Sequence, residues 1–362
     1  MLWFSGSNRY SLVNKDFKTL LDLYLASKTL LYFKTAVAKA DATADSELLV
    51  ETLDNYLQDC NETTTVAKES TAALERPSDP IIKQYQIKTK TIRIYFDSEP
   101  VLNVIHPAIA HLASPISDRA IDASFDIYIK DDHLHLFKDA QLLKHIAKKD
   151  YHHIQGKFIF HLLCLLHHRE ETDWIGSFHG STITDGKTSV LFVGNSGKGK
   201  STLSGLLAHN GFDLLADDVS PMLSEDQCIY HNPLALSVKK GAFAVLQPYI
   251  PNFEDLPTVN FNKSKGEIKY VPCSDPERSH YPCKAIILVN YQPEADTCLE
   301  PVTIKTALET LIPESWLSPN PAHAKQFMDW LETVEYYQLT YSDTQSVVST
   351  VSKLFKTFRK PS

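Results

Sequence analysis

The chain has 362 residues, with 36 Lys and Arg against 44 Asp and Glu, for a formal net charge of −8 with His neutral. That balance excludes a basic protein built to coat nucleic acid. Hydrophobic residues at 43% and charged residues at 22% are ordinary for a globular chain, so wholesale disorder is excluded too, and the length predicts two or three domains.

The start, Met1-Leu2-Trp3-Phe4-Ser5-Gly6, lacks the basic, apolar and small-residue succession of a secretory signal, and a cytoplasmic location is expected. From Lys15 to Asp59, Phe17, Leu20, Leu21, Leu23, Leu30 and Leu31 recur at mostly helical spacing, followed by Leu48, Leu49, Leu53 and Leu57. This predicts a small helical or winged-helix module over 1–75. Residues 61–80 are rich in Thr, Glu, Ser and Pro and end in Arg76-Pro77-Ser78-Asp79-Pro80, the composition of a linker. An accessory β-rich segment is predicted over 76–150. There Gln84 to Phe96 alternates as a strand, and Phe125–Ile129 and Leu134–Leu136 flank Asp131-Asp132-His133 as a hairpin.

A helix is predicted from Tyr151 to Arg169. Its apolar stretch Phe158–Leu166 is far shorter than the ~20 residues of a membrane span, so no membrane is expected. On that helix His161, Cys164 and His168 share a face, a metal-like spacing with His167 beside it. The apolar residues between them favour a packed helix with histidines at its edge. The six Cys contain no Cys-x-x-Cys pair, so neither a disulfide scaffold nor a zinc knuckle is indicated.

The chemistry lies in the remainder, 151–362. Gly194-Asn195-Ser196-Gly197-Lys198-Gly199-Lys200-Ser201 fits G-x-x-x-x-G-K-[ST] between an apolar run, Ser189–Val193, and a helical segment beginning Thr202-Leu203. Glycines in that place let backbone N–H groups close around phosphate oxygens at a helix N-terminus. Lys200 would neutralise the β- and γ-phosphates and Ser201 would ligate Mg²⁺. Asn210-Gly211 ends the helix, and Phe212–Ala216 reads as a strand running into Asp217-Asp218. Successive strand residues face opposite ways, so both carboxylates reach the phosphates only if the strand breaks there. One would hold Mg²⁺ while the other orients or deprotonates a hydroxyl. Upstream, Ser181–Thr184 and the turn signal Asp185-Gly186 predict a strand that brings His179 beside the loop.

The ordered set His179-Gly180, hairpin, Gly194–Ser201, helix and Leu215-Ala216-Asp217-Asp218 resembles the catalytic core of the HPr kinase/phosphorylase family. The resemblance extends loosely over roughly 80–360. It implies an α/β P-loop kinase domain with a mixed sheet related to phosphoenolpyruvate carboxykinase, using ATP and Mg²⁺ to phosphorylate a serine-type hydroxyl of a protein or peptide acceptor. Carried over by motif, Gly194 through Thr202 hold the nucleotide, Lys200 its phosphates, and Ser201 and Asp218 the metal. Asp217 is the base, and His179 supports the phosphates or Asp217. A homo-oligomer is compatible with this. The N-terminal module, through Tyr10-Ser11-Leu12-Val13-Asn14 and the leucine-patterned helices, is similar to PqqD-like peptide-binding winged helices.

Two departures stand out. Thr202 replaces the glutamate of the bifunctional members, and Leu234–Gly241 replaces a Glu-Ile-Arg-Gly segment, leaving Lys239 or Lys240 to supply positive charge. They speak against phosphorylase activity and motivate an alternative, a nucleotide-regulated peptide-binding protein without efficient transfer. Asn262-Lys263-Ser264-Lys265 lacks the aspartate of a guanine-reading motif. Lys263, Lys265 and Lys269 read as a basic loop, over the phosphates or solvated.

Overall fold

Asn14, Thr29 and Asp45 each accept a backbone N–H from the first turn of the helix that follows, and these caps cut the leucine-rich N-terminal stretch into three helices. The computed structural model describes residues 1–62, 73–260 and 266–359. The Asn262–Lys265 motif and much of the expected linker lie outside the described residues. The chain forms two units: the described residues of Met1–Lys68 with Leu317–Asp329, and those of Glu69–Trp316 with Trp330–Ser362.

In the first unit, β1 (Leu2–Phe4) and β2 (Arg9–Ser11) pair antiparallel. Helices α1 (Lys15–Ala26), α2 (Leu30–Ala40) and α3 (Ser46–Asn61) follow, and Leu21, Phe33, Val37 and Leu53 are buried together between them. Leu30 and Leu31 open α2 at 51% and 74% exposure, so they do not prolong the buried stripe of α1.

In the second unit, the run from Gln84 to Phe96, expected as one strand, is a hairpin of β3 (Ile81–Ile87) and β4 (Lys90–Phe96). Its turn places Lys88 at φ 53° without the glycine or asparagine that usually marks such a turn. Helix α4 (Glu99–Ile109) and the short β5 (Ala113–Ser114) lead to β6 (Ala123–Lys130), which lies parallel to β4. The hairpin expected around Asp131-Asp132 is present, joining β6 to β7 (His133–Lys138), and β8 (Gln141–Ala147) closes the sheet in the order β5-β3-β4-β6-β7-β8. Helix α5 (His152–His167) packs with α4 on one face of this sheet, burying Ile105, Phe158 and Leu162 with Ile94, Phe125 and Leu136. Residues 81–147 and α5 therefore share one core, because both helices bury their apolar faces on the same strands.

Helix α5 stops at His168, which is left-handed at φ 53°. His161 Nε2 stands 2.8 Å from Glu171 Oε1, and His167 Nε2 stands 2.8 Å from the His231 carbonyl oxygen. Burial pushes His167 down to about 4. His161 and His167 are thus tied to separate partners, and among the described residues no three His, Cys, Asp or Glu side chains form a metal cluster.

The chain continues through β9 (Trp174–Phe178), β10 (Ser181–Thr184), β11 (Ser189–Val193), α6 (Lys200–Ala208), β12 (Asp213–Ala216), β13 (Ser220–Leu223) and β14 (Cys228–Tyr230). After these come β15 (Leu236–Lys239), α7 (Phe243–Leu246), β16 (Thr258–Asn260), β17 (Glu267–Val271), β18 (His280–Tyr291), β19 (Cys298–Pro301) and α8 (Ile304–Leu311). The last elements are β20 (Trp316–Leu317), α9 (Pro321–Leu331), β21 (Glu335–Tyr341) and α10 (Thr344–Phe358). The long strand β18 is the spine of the main mixed sheet, parallel to β11 and β21 and antiparallel to β14. Its neighbours run β12-β10-β11-β18-β14-β13-β9, while β15-β17-β16 form a small separate sheet. All five residues of β11 are buried, as a central strand covered on both faces requires. Leu203, Leu206 and Leu207 of α6 and Leu354 of α10 bury against Val190 and Phe192. The architecture is mixed α/β with several mixed sheets, and among the described residues no helix is long and apolar enough to cross a membrane.

Candidate active site

Strand β11 ends at Val193, and the next six residues turn into α6 through three glycines with positive φ: Gly194 at 148°, Gly197 at 88° and Gly199 at 93°. Two of them also sit where a side chain would collide. A Cβ on Gly194 would stand 3.0 Å from the Val289 carbonyl oxygen, and one on Gly199 would stand 2.7 Å from Tyr341 Oη. The loop is braced by the C-terminal ends of β18 and β21. Tyr291 N–H donates to the Lys198 carbonyl at 3.0 Å, Lys198 Nζ to Asn290 Oδ1 at 3.1 Å, and Tyr341 Oη to the Gly199 carbonyl at 3.1 Å.

Lys200 is 7% exposed and donates from Nζ to the Gly194 carbonyl, folding back along its own loop. Burial lowers its pKa, and the nearby Asp218 and Asp217 charges oppose that shift. Asp217 is 4% exposed. Its carboxylate accepts from Ser181 Oγ, from Ser201 Oγ at 3.2 Å, and from Ser237 through N at 3.1 Å and Oγ at 3.3 Å. Burial, and next the charge of Asp218, raise its pKa well above the carboxylate range, against the pull of these donors.

The strand break that would let both carboxylates face one way is present. Strand β12 stops at Ala216, Val219 N–H turns back to the Asp217 carbonyl at 2.7 Å, and Asp218 takes φ 59°. Both acids consequently meet the same residue, Ser237, whose Oγ stands 3.3 Å from Asp218 Oδ2.

A cleft of about 830 Å³ collects Ser196, Gly197, Gly199, Lys200, Ser201 and Thr202 from the loop and α6. Asp217, Asp218 and His179 face the same space. Gly194, Asn195 and Lys198 do not line it: Lys198 is spent on Asn290, and the Asn195 carbonyl accepts from Lys198 N. The N–H of His179 donates to Ser315 Oγ at 3.3 Å. A Cβ at the next residue, Gly180, would stand 2.5 Å from the Phe192 carbonyl oxygen, so glycine is required where Ser181 is led beneath Asp217.

The structure separates the lysines proposed to replace the missing positive charge. Lys239 Nζ donates to Ser196 Oγ at 2.8 Å and lines the cleft, while Lys240 pairs with Glu267 at 2.8 Å. Lys269 is not part of a basic loop. It is 7% exposed on β17 and donates from Nζ to the Phe253 and Glu254 carbonyls at 2.9 Å each, so it ties a turn together. Lys263 and Lys265 lie outside the described residues.

Sequence reading missed Ser181 and Ser237, which donate to Asp217, and Tyr270, Tyr291 and Tyr341, which line the cleft. The need for glycine at Gly180 is a local signal for Ser181. The tyrosines carry no local signal, because Tyr341 meets Gly199 across 142 positions.

No protein-family profile matches the chain, and no curated protein matches it. Among solved structures, the Hpr(Ser) kinase/phosphatase from Coxiella burnetii is similar over 51% of this chain and 99% of that one, at 15% identity and a TM-score of 0.26. It is a distant neighbour, and a likeness that loose decides neither the finer fold nor the activity.

Proposed function

We propose that the chain is an ATP- and Mg²⁺-dependent phosphotransferase that moves the γ-phosphoryl group onto a serine-type hydroxyl of a protein or peptide acceptor. One observation carries this reading: the buried Asp217 carboxylate accepts the hydroxyl of Ser201, which ties the acid pair to the first turn of the helix behind the glycine-rich loop. The loop then acts as a P-loop. Its N–H groups and the N-terminus of α6 attract phosphate oxygens, and Lys200 adds a full charge. Ser201 and Asp218 fit Mg²⁺, which favours few protein oxygens with water and phosphate completing its shell. When bound, the ion neutralises charge on the β- and γ-phosphates.

Asp217 is suited to the base. Its raised pKa brings a carboxyl closer to the working pH, where proton transfer from an alcohol is most effective. The acceptor oxygen attacks the γ-phosphorus, its proton passes to Asp217, and ADP leaves. His179 and Lys239, both on the cleft, add positive or hydrogen-bonding character on the phosphate side.

The test is transfer of labelled γ-phosphate from ATP with Mg²⁺ into peptides and proteins of the native host, with wild type, Lys200→Ala and Asp217→Asn. Labelled acceptor with wild type and none with either variant supports the reading. Tight ATP binding without label in any fraction refutes it in favour of a nucleotide-regulated peptide-binding protein.

A further inference from the structure

One part of the cleft lining has no role in the chemistry above. It is the stripe from α5, where His152, Gln155, Gly156 and Ile159 recur at i, i+3, i+4 and i+7, all lining the cleft. The opposite side of the helix, with Ile154, Phe158 and Leu162, is committed to the six-stranded sheet.

Gly156 is the anomaly of that stripe. Glycine is the least favourable residue inside a helix after proline. It is normally kept there for a positive φ or for close backbone approach. Neither applies. Gly156 is absent from the glycines with positive φ, and a Cβ built on it meets nothing within 4 Å. What its missing side chain leaves is open space in the cleft.

From this stripe we infer an acceptor subsite, a pocket over Gly156 that receives a neutral hydroxyl compound with an aliphatic flank, such as a serine or threonine residue in an uncharged peptide. The inference rests on the phosphotransferase reading for the word acceptor, but not for the pocket. Ala108, Ile159 and Leu234 supply apolar surface. Gln155 is pinned by its Nε2 to the Val104 carbonyl at 2.8 Å, which leaves its amide oxygen as the polar group it can offer. An anionic acceptor is disfavoured. Among the described residues no arginine lines the cleft and the amines of Lys200 and Lys239 are engaged with the loop, so His152 and His179 are the remaining basic groups, and Asp217 and Asp218 would repel a second anion.

Saturation-transfer NMR on the full chain loaded with Mg²⁺ and ADP tests this with three probes: N-acetyl-L-threoninamide, propane-1,2-diol and zwitterionic L-serine. Wild type is expected to bind a neutral probe in preference to L-serine, with the amide winning if the source is a peptide and the diol if it is a free alcohol. Gly156→Ala should raise the melting temperature by about 1–4 °C, as expected for a helical glycine with free space above it. Gly156→Leu should weaken the neutral probe at least roughly tenfold while a fluorescent ATP analogue binds within about twofold of wild type. The subsite is overturned if Gly156→Leu binds the probe as wild type does, if it loses nucleotide to the same degree, if wild type binds no neutral probe, or if L-serine binds best. Probe binding that Gly156→Leu abolishes, without any labelled product, leaves the subsite standing and refutes the phosphotransferase reading.

Discussion

Replacing Gly199 by alanine should damage the loop in a way that a second substitution partly repairs. Two costs combine. The φ of 93° is a left-handed conformation that charges an L-residue about 1 kcal/mol or more. The added Cβ would also stand 2.7 Å from Tyr341 Oη and 3.0 Å from Tyr291 Cβ, an overpacked contact worth about 1–3 kcal/mol. The expected loss is about 2–4 kcal/mol, or a fall of about 4–12 °C in the melting transition. Tyr341→Phe alone removes one hydrogen bond, about 1 kcal/mol. It does not orphan the Gly199 carbonyl, which also accepts from Leu203 N at 2.9 Å. In the double variant the worst contact is gone, and the next atom of that ring, Cζ, stands at an ordinary 3.5 Å. The pair should therefore melt no lower than Gly199→Ala by itself. Circular-dichroism melts of the four proteins close the cycle. Additivity within about 0.5 kcal/mol would refute the idea that the tyrosine hydroxyl and the glycine are fitted to each other.

Arg76 grips Asp126, which is 1% exposed, through Nε at 2.5 Å and Nη2 at 3.0 Å, and its guanidinium lies 3.8 Å above the Tyr95 ring. Arg76→Ala leaves a buried carboxylate without its partner and should cost about 3–5 kcal/mol in chemical denaturation, whereas a loss below about 1 kcal/mol would show the pair to be dispensable. His161 first, and then Lys157, hold the Glu171 carboxyl down to about 2 from 4.5. Its contribution to stability is therefore complete above about pH 4.5 and is lost as the pH falls towards 2. Urea midpoints followed from pH 6 to pH 2.5 should fall less steeply for Glu171→Gln than for wild type, and parallel curves would contradict this. Burial disfavours the Lys200 ammonium, so Lys200→Met should leave the melting temperature of the ligand-free protein within about 2 °C of wild type. The same change should weaken Mg·ATP binding roughly 10–100-fold by calorimetry, the worth of one or two charge-assisted hydrogen bonds. Equal loss of stability and affinity would point to a structural lysine.

What could be read in the residues and what could not divide on physical grounds. The β11–loop–α6 unit was legible because an apolar run, three glycines needing positive φ and a helical pattern are all local. The turn at Lys88 was not, since its left-handed residue is neither Gly nor Asn, and two strands read as one. Lys269 looked like surface charge because its partners are the backbone carbonyls of Phe253 and Glu254, groups that every residue carries and no pattern distinguishes. The pairing of Asp217 with Ser201 was foreseeable as neighbourhood. Its hydrogen bonds from Ser181 and Ser237 were not, because they depend on three strand ends meeting.

The brace on the glycine-rich loop also sets an order of assembly during synthesis. Strand β11 and α6 are complete by residue 208, yet β18 ends at residue 291 and Tyr341 closes β21. Parallel pairing of distant strands is slow, because the chain between them must be closed into a loop first. A ribosome that has just released the Lys200 segment therefore carries a loop whose carbonyls still face water. The glycine-rich loop therefore takes its final form only after β21 has been made and has paired with β18, well over a hundred residues after α6.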